Sequence, residues 1–260
     1  MGEFCFKNFF KNWGVKMKVV LLRVGVDSSF GESHGPLFKD NKFEFIPIPD
    51  PYNIGSRKYG NTSSASNKSK NLIDYFPTSK MKDKSIHWDP EFETKTYGEP
   101  NPHRRRLREL EAGDILGFYS GLQSFKDKYD SKGNPELYLI GYFEVEKVWM
   151  KERDKLPDDS IMNNFHIKYM DELNKENKEK KLIVIKGTAK SRLYKQAYQI
   201  SRKVSCLDKN KKLYTDYRLT YEMEKVFGQL TGKGSIKRSS ARLINENFVD
   251  TAARFLKSLN

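Results

Sequence analysis

The chain has 260 residues, with 48 Lys and Arg against 34 Asp and Glu, a formal net charge of +14, 37% hydrophobic residues and 13% aromatics. That is enough apolar chain for one large or two small folded domains, and too aromatic for a disordered one. No apolar run approaches the ~20 residues of a membrane-spanning helix. Two cysteines, Cys5 and Cys206, exclude a disulfide framework and a cysteine-bound zinc and point to a cytoplasmic protein. The positive charge is uneven: residues 182–242 hold fifteen basic and four acidic side chains, whereas residues 1–150 hold twenty-three and twenty. A basic face beside a near-neutral body favours a polyanionic partner, nucleic acid or nucleotide.

Residues 1–16 mix Phe4, Phe6, Phe9, Phe10 and Trp13 with basic residues and fit neither a signal peptide nor a myristoylation motif. They read as an N-terminal extension outside the fold, with Met17 as an ancestral start; a membrane-surface helix is the alternative. Residues 18–26, KVVLLRVGV, form a buried-strand pattern, and Phe43–Ile48 a second strand ended by Pro47, Pro49 and Pro51. Residues 53–71 read as a long flexible loop, a lid or an insertion. Arg104–Leu110 suggests a short helix. Asp114–Tyr119 and Leu137–Trp149 form a hairpin with a long, Gly- and Pro-containing tip. After Pro157 the period becomes helical over Asp158–Lys180, capped by Asp159 or Ser160, with Ile161, Phe165, Tyr169 and Leu173 on one face. Leu182–Ile185 is a buried strand. Ala189–Ser201, with Leu193, Ala197 and Ile200 facing inward, and Ala241–Leu259 read as helices. The expected fold is α+β: a β-rich body over residues 17–150, then a more helical, basic part over 151–260.

Three groups of residues could carry chemistry. The turn after the first strand offers Asp27 as a metal or hydroxyl ligand, with His34 following; it is also an ordinary turn sequence. His87-Trp88-Asp89 followed by Thr96-Tyr97-Gly98-Glu99 places imidazole and carboxylate side by side near aromatic rings, which suits proton transfer at a flat heterocycle, or a structural cap around a core Trp. Tyr119 and Tyr142 in the hairpin could stack on a base or fill the core. For phosphate, Arg104 and Arg105 beside Arg108, then Lys190-Ser191-Arg192 and Lys237-Arg238 with Arg242, combine guanidinium or ammonium groups with hydroxyls. P-loop, dinucleotide-binding and nucleophile-elbow motifs are all missing, and no motif names a cofactor.

GDILGFY and YLIGYFEVEKV, preceded by Arg108, resemble the barrel core of the PUA-like superfamily, which includes ASCH and EVE domains. That likeness covers about residues 104–149 and implies aromatic side chains around a flipped or unpaired base. A wider likeness runs through LRVGVDSS, HGPLF, FEFIPIPD, HWDPEFETKTYGE, GDILGFYSGL, YLIGYF, KSRLYKQAYQIS and SIKRSSARLI, in that order. These resemble the third of the nucleotide-modification-associated domain families, known from gene neighbourhoods tied to modified DNA bases. The resemblance implies a role in making or handling modified nucleotides. Its site residues would be Asp27, His34, Asp50, His87, Asp89, Thr96, Tyr97, Arg108, Asp114 and Tyr119. Asp27 is followed by serines rather than glycines, and residues 53–71 look expanded.

Two functions follow: modification of a nucleotide or base by Asp27, His34, His87 and Asp89, or non-catalytic reading of a modified base against Tyr119 and Tyr142 with Lys and Arg on the backbone. The basic segment over residues 182–242 implies salt-dependent affinity for a polyanion. Fluorescence anisotropy with an oligonucleotide should show affinity falling about tenfold between 50 and 200 mM salt for every two phosphates contacted. A flat response removes the polyanion footprint.

Overall fold

A computed structural model describes residues 16–30, 33–100, 105–126, 134–157, 163–175, 181–230, 235–237 and 240–260. In chain order the strands are β1 (Val19–Arg23), β2 (Gly35–Leu37), β3 (Thr96–Glu99), β4 (Ile115–Ser124), β5 (Glu136–Met150), β6 (Ile183–Gly187), β7 (Arg192–Gln199), β8 (Ser201–Leu207), β9 (Leu213–Leu219) and β10 (Arg242–Leu243). The helices are α1 (Arg105–Arg108), α2 (Phe165–Lys168), α3 (Met170–Lys175), α4 (Tyr221–Phe227) and α5 (Val249–Ser258), with short 3₁₀ turns between.

Eight strands form one mixed sheet in the order β10-β1-β4-β5-β6-β3, with β2 also on β4 and β7 also on β5. The β1/β4 pair is parallel, and β4 and β5 form the expected antiparallel hairpin, with Leu116 opposite Phe143. Both faces are covered, so β1 is apolar from Val19 to Leu22 and turns charged only at Arg23, its last residue. Its alternation sends Val19 and Leu21, with Ile115 and Tyr119 of β4, toward α4 and α5, where Met223, Phe227, Ala252 and Leu256 close the layer. Val20 and Leu22, with Leu116 and Phe118, enter a second layer holding Phe143, Tyr97, Ile183 and Ile185. Strands β8 and β9 pair separately as a two-stranded ribbon.

The β-rich, mixed α/β expectation holds, with corrections. The described strands leave the sheet open between β10 and β3 and form no closed barrel of the PUA type. The expected more helical region, residues 151–260, supplies β6 to β10 as well as α2 to α5.

Within the expected helix Ala189–Ser201, Arg192–Gln199 is strand β7 and Ser201 opens β8. Leu139 pairs with Tyr198 but Gly141 pairs with Leu193, so β7 bulges between its two contacts with β5. The bulge buries Tyr194, Ala197 and Ile200 at intervals of three, a helix-like spacing produced by a distorted strand. Phe43–Ile48 makes no ladder, only a bridge from Phe43 to Leu37, as its prolines dictate. Residues 53–71 are tied to the body: Tyr59 is buried and donates to the Pro47 carbonyl, and buried Glu44 accepts from Ser64 Oγ and the Ala65 and Ser66 N–H groups. Of Asp158–Lys180, the described part is α2 and α3, capped by Asn164; the expected caps Asp159 and Ser160 lie outside the described residues. The last expected helix shortens to α5, preceded by β10.

Asp114 fastens the start of the β1/β4 pair. Its buried carboxylate accepts from the Lys18 N–H at 2.7 Å and the Glu111 N–H at 2.8 Å, with the Lys18 ammonium 3.7 Å away. Asp114→Ala leaves two N–H groups without that partner. It should lower stability by about 2–4 kcal/mol, read as a fall in the urea midpoint at unchanged slope.

Candidate functional site

Beyond the C-terminal end of β1 lies a cavity of about 1150 Å³. The chain following β1 supplies Gly25 and Asp27; residues 48–51 and 87–89 form a second wall, β3 and α2 a third, and β9, residues 235–237 and β10 the fourth. Gly25 has φ of +80°, and a Cβ there would stand 2.7 Å from Ser120 Oγ. Only glycine lets the chain turn from the strand into the cavity wall at that point.

Three titratable groups meet at one end. His87 Nε2 lies 3.0 Å from His166 Nε2, and His166 Nε2 lies 3.6 Å from Asp89 Oδ2. Their ligating atoms all fall within 4.8 Å of one another, a spacing that could hold a metal ion. Each is fixed by its surroundings. Asp89 accepts from the Gly98 N–H at 2.8 Å and from Asn164 Nδ2 at 3.2 Å. The same Asn164 accepts the His166 N–H through its Oδ1, at 3.0 Å, so one amide aligns carboxylate and imidazole. The His87 N–H donates to the Ile48 carbonyl, and its ring packs 4.3 Å from Phe165.

Electrostatics follow from enclosure. Burial, reinforced by the His166 ring, holds His87 well below the usual imidazole range, so it is neutral at neutral pH. Burial pushes Asp89 well above the usual carboxylate range; the Gly98 N–H and Asn164 amide oppose this, while Glu99 and Glu91 add to it. Glu99 accepts from Tyr97 Oη at 3.0 Å on the same wall.

The other end is cationic. Arg23 sits 3.5 Å from Asp27 and donates to the Lys237 carbonyl. Arg242 donates to the Ser235 carbonyl at 2.7 Å, and Lys237 Nζ reaches the Thr215 carbonyl at 3.4 Å. Tyr214 and Asp216, two apart on β9, both face the cavity, and Ser235 Oγ donates to Asp216 at 2.6 Å. Burial raises the Asp27 pKa, but the Ser29 hydroxyl and N–H, with Arg23 and His34, outweigh it, so Asp27 lies below its ordinary value.

The sequence matches the family described as nucleotide modification associated domain 3 over residues 18–251. The chain belongs to that family. Neither the curated proteins nor the solved structures contain a match. The family region includes the whole cavity, from Arg23 to Arg242.

Of the residues expected from sequence, the fold brings Asp27, His87, Asp89, Tyr97, Lys237 and Arg242 to this cavity. The others lie elsewhere. His34 packs near Arg23 and Gly121, and burial, then Arg23, lowers its pKa. Thr96 is buried and exchanges backbone hydrogen bonds with Glu91. Asp50 caps a turn, accepting from the Tyr52, Ile54 and Gly55 N–H groups. Tyr119 and Tyr142 are core residues: Tyr119 Oη donates to the Ile236 carbonyl, and the Arg192 guanidinium lies over the Tyr142 ring. Arg192 holds the Lys257 and Leu259 carbonyls, and buried Ser191 accepts the Glu144 N–H. Arg105 pairs with Glu109 and Arg108 with Glu152, while exposed Lys190 donates its N–H to Thr188 Oγ1. Arg104 and Arg238 lie outside the described residues.

His166, Arg23, Tyr214 and Asp216 were not legible as site residues. His166 is one of four histidines, yet it sits in a helical stretch about 80 residues from His87. Gly98 is the hidden determinant: a Cβ there would stand 2.3 Å from His166 Cδ2. Gly98→Ala should displace the imidazole and cost about 1–3 kcal/mol. The checks are thermal unfolding and the His166 ring resonances by NMR, which should move while those of His34 stay.

Proposed function

We propose that the chain acts on a nucleotide, free or within a nucleic acid, held across this cavity. The phosphate lies toward Arg23, Lys237 and Arg242, and the base toward His87, Asp89 and His166. The observation that carries this reading is the polarity of one cavity: Arg23, Lys237 and Arg242, interleaved with Asp27 and Asp216, at one end, buried imidazoles and a carboxylate at the other. Guanidinium groups match phosphate oxygens in charge and geometry. Neutral His87, with His166 and Asp89, presents hydrogen-bonding groups to the edge of a heterocycle. Membership of a nucleotide-modification-associated family supports the substrate class.

The β8–β9 ribbon favours a nucleotide within a polymer. Residues 201–219 contain six basic and two acidic side chains. Leu207, Leu213 and Tyr214 are exposed near its tip, and Tyr214 also lines the cavity. A two-stranded ribbon of this charge suits a phosphodiester backbone or groove. The non-catalytic reader built on Tyr119 and Tyr142 loses its basis, because both rings are enclosed in the core.

Anisotropy with a labelled single-stranded oligonucleotide tests the proposal. Lys237→Ala should weaken binding about tenfold and reduce the log–log salt slope by about one. Asp89→Asn should leave binding within about twofold while abolishing any base change detected by mass spectrometry of digested product. Unaltered binding and slope in Lys237→Ala contradict the phosphate assignment.

A further inference from the structure

We propose that His87, Asp89 and His166 form a mononuclear centre for one divalent first-row transition ion, bound through the two Nε2 atoms and Asp89 Oδ2, with its remaining positions open to the cavity. The inference deepens the reading of the same cavity but does not need a nucleotide to be bound.

The distances fit an ion. Metal–ligand bonds of about 2.0–2.2 Å place donor atoms roughly 3.3–3.6 Å apart in tetrahedral geometry and roughly 2.8–3.1 Å apart in octahedral geometry. The 3.0 Å His–His and 3.6 Å His–Asp separations fall at those values, and all three donor atoms lie within 4.8 Å of one another. A plain hydrogen bond between the imidazoles would account for the first distance alone. It leaves Asp89 Oδ2 beyond hydrogen-bond reach of His166 Nε2, aimed at the same small region as both rings.

The surroundings are those of a held ligand set. Asn164 binds Asp89 with its amide nitrogen and the His166 backbone with its oxygen, fixing two of the three ligands through one side chain. The third is fixed by the His87–Ile48 backbone bond and the Phe165 ring. Gly98 contributes both its N–H to Asp89 and the space His166 occupies. The cavity supplies what a structural metal site lacks, an open side facing a space large enough for a nucleotide.

The donor set selects the ion. Two imidazoles and one carboxylate suit borderline ions such as zinc, iron(II) or cobalt better than magnesium or calcium, which take oxygen ligands. An ion here would polarise a substrate oxygen or lower the pKa of a bound water beside the base.

The test uses full-length untagged protein, stripped with chelator and titrated with Co(II), then Zn(II), without nucleotide. Visible Co(II) absorption should saturate at one equivalent and be displaced by Zn(II). His166→Ala, His87→Ala and Asp89→Asn should each weaken binding at least 100-fold, and Asn164→Ala about 10–100-fold. Glu246→Gln, an exposed carboxylate, should change nothing. No stoichiometric binding, or binding retained in all three ligand variants, overturns the proposal. Should circular dichroism show that a ligand variant is unfolded, X-ray absorption of the zinc-loaded wild type decides: two imidazole ligands support the site, fewer overturn it. Metal bound without nucleotide affinity would separate a failure of the functional reading from a failure of the metal centre.

Discussion

The buried carboxylate of Asp89 is the constraint around which the site is organised. A carboxylate removed from water requires compensating donors, and here they come from two distant parts of the chain: the Gly98 N–H on β3 and the Asn164 amide at the start of α2. Those bonds pull α2 onto β3, which places His166 against His87. β3 is in turn held by β6, and β6 by the long central strand β5. The cluster is therefore a consequence of sheet order.

The sheet also explains why the two ends of the cavity carry opposite character. β1 and β10 are neighbours, so Arg23 at the end of one and Arg242 at the start of the other converge on the same rim. β3 lies at the far side of the sheet path, bringing Gly98 and Glu99 to the opposite wall. Ordinary strand pairing thus creates a charge-polarised space without any glycine-rich phosphate loop. The overall charge of +14 is partly gathered on the β8–β9 ribbon, where residues 201–219 hold six basic and two acidic side chains.

Legibility in the sequence followed the range of the interactions. β1 and the β4–β5 hairpin were readable because apolar alternation and turn residues are local signals. β7 was misread because its bulge converts a strand into a burial period of three, which no local pattern distinguishes from a helix. His87 and Asp89 stood out as an imidazole next to a carboxylate on one short segment. His166 did not, since its partners are 75 or more residues away. Ser191, Arg192 and Asp114 had the chemistry of ligand-binding groups, yet each meets a backbone group of the chain itself, a use that residue type alone cannot separate from binding.

Amide chemical-shift mapping tests the central claim, that one nucleotide spans both ends of this cavity. A nucleoside 5′-monophosphate titrated into ¹⁵N-labelled protein should perturb Lys237 and Arg242 together with Gly98 and His166, and the nucleoside without phosphate should perturb only the second pair. Perturbations confined to residues outside the cavity, or identical maps for both ligands, would contradict the account.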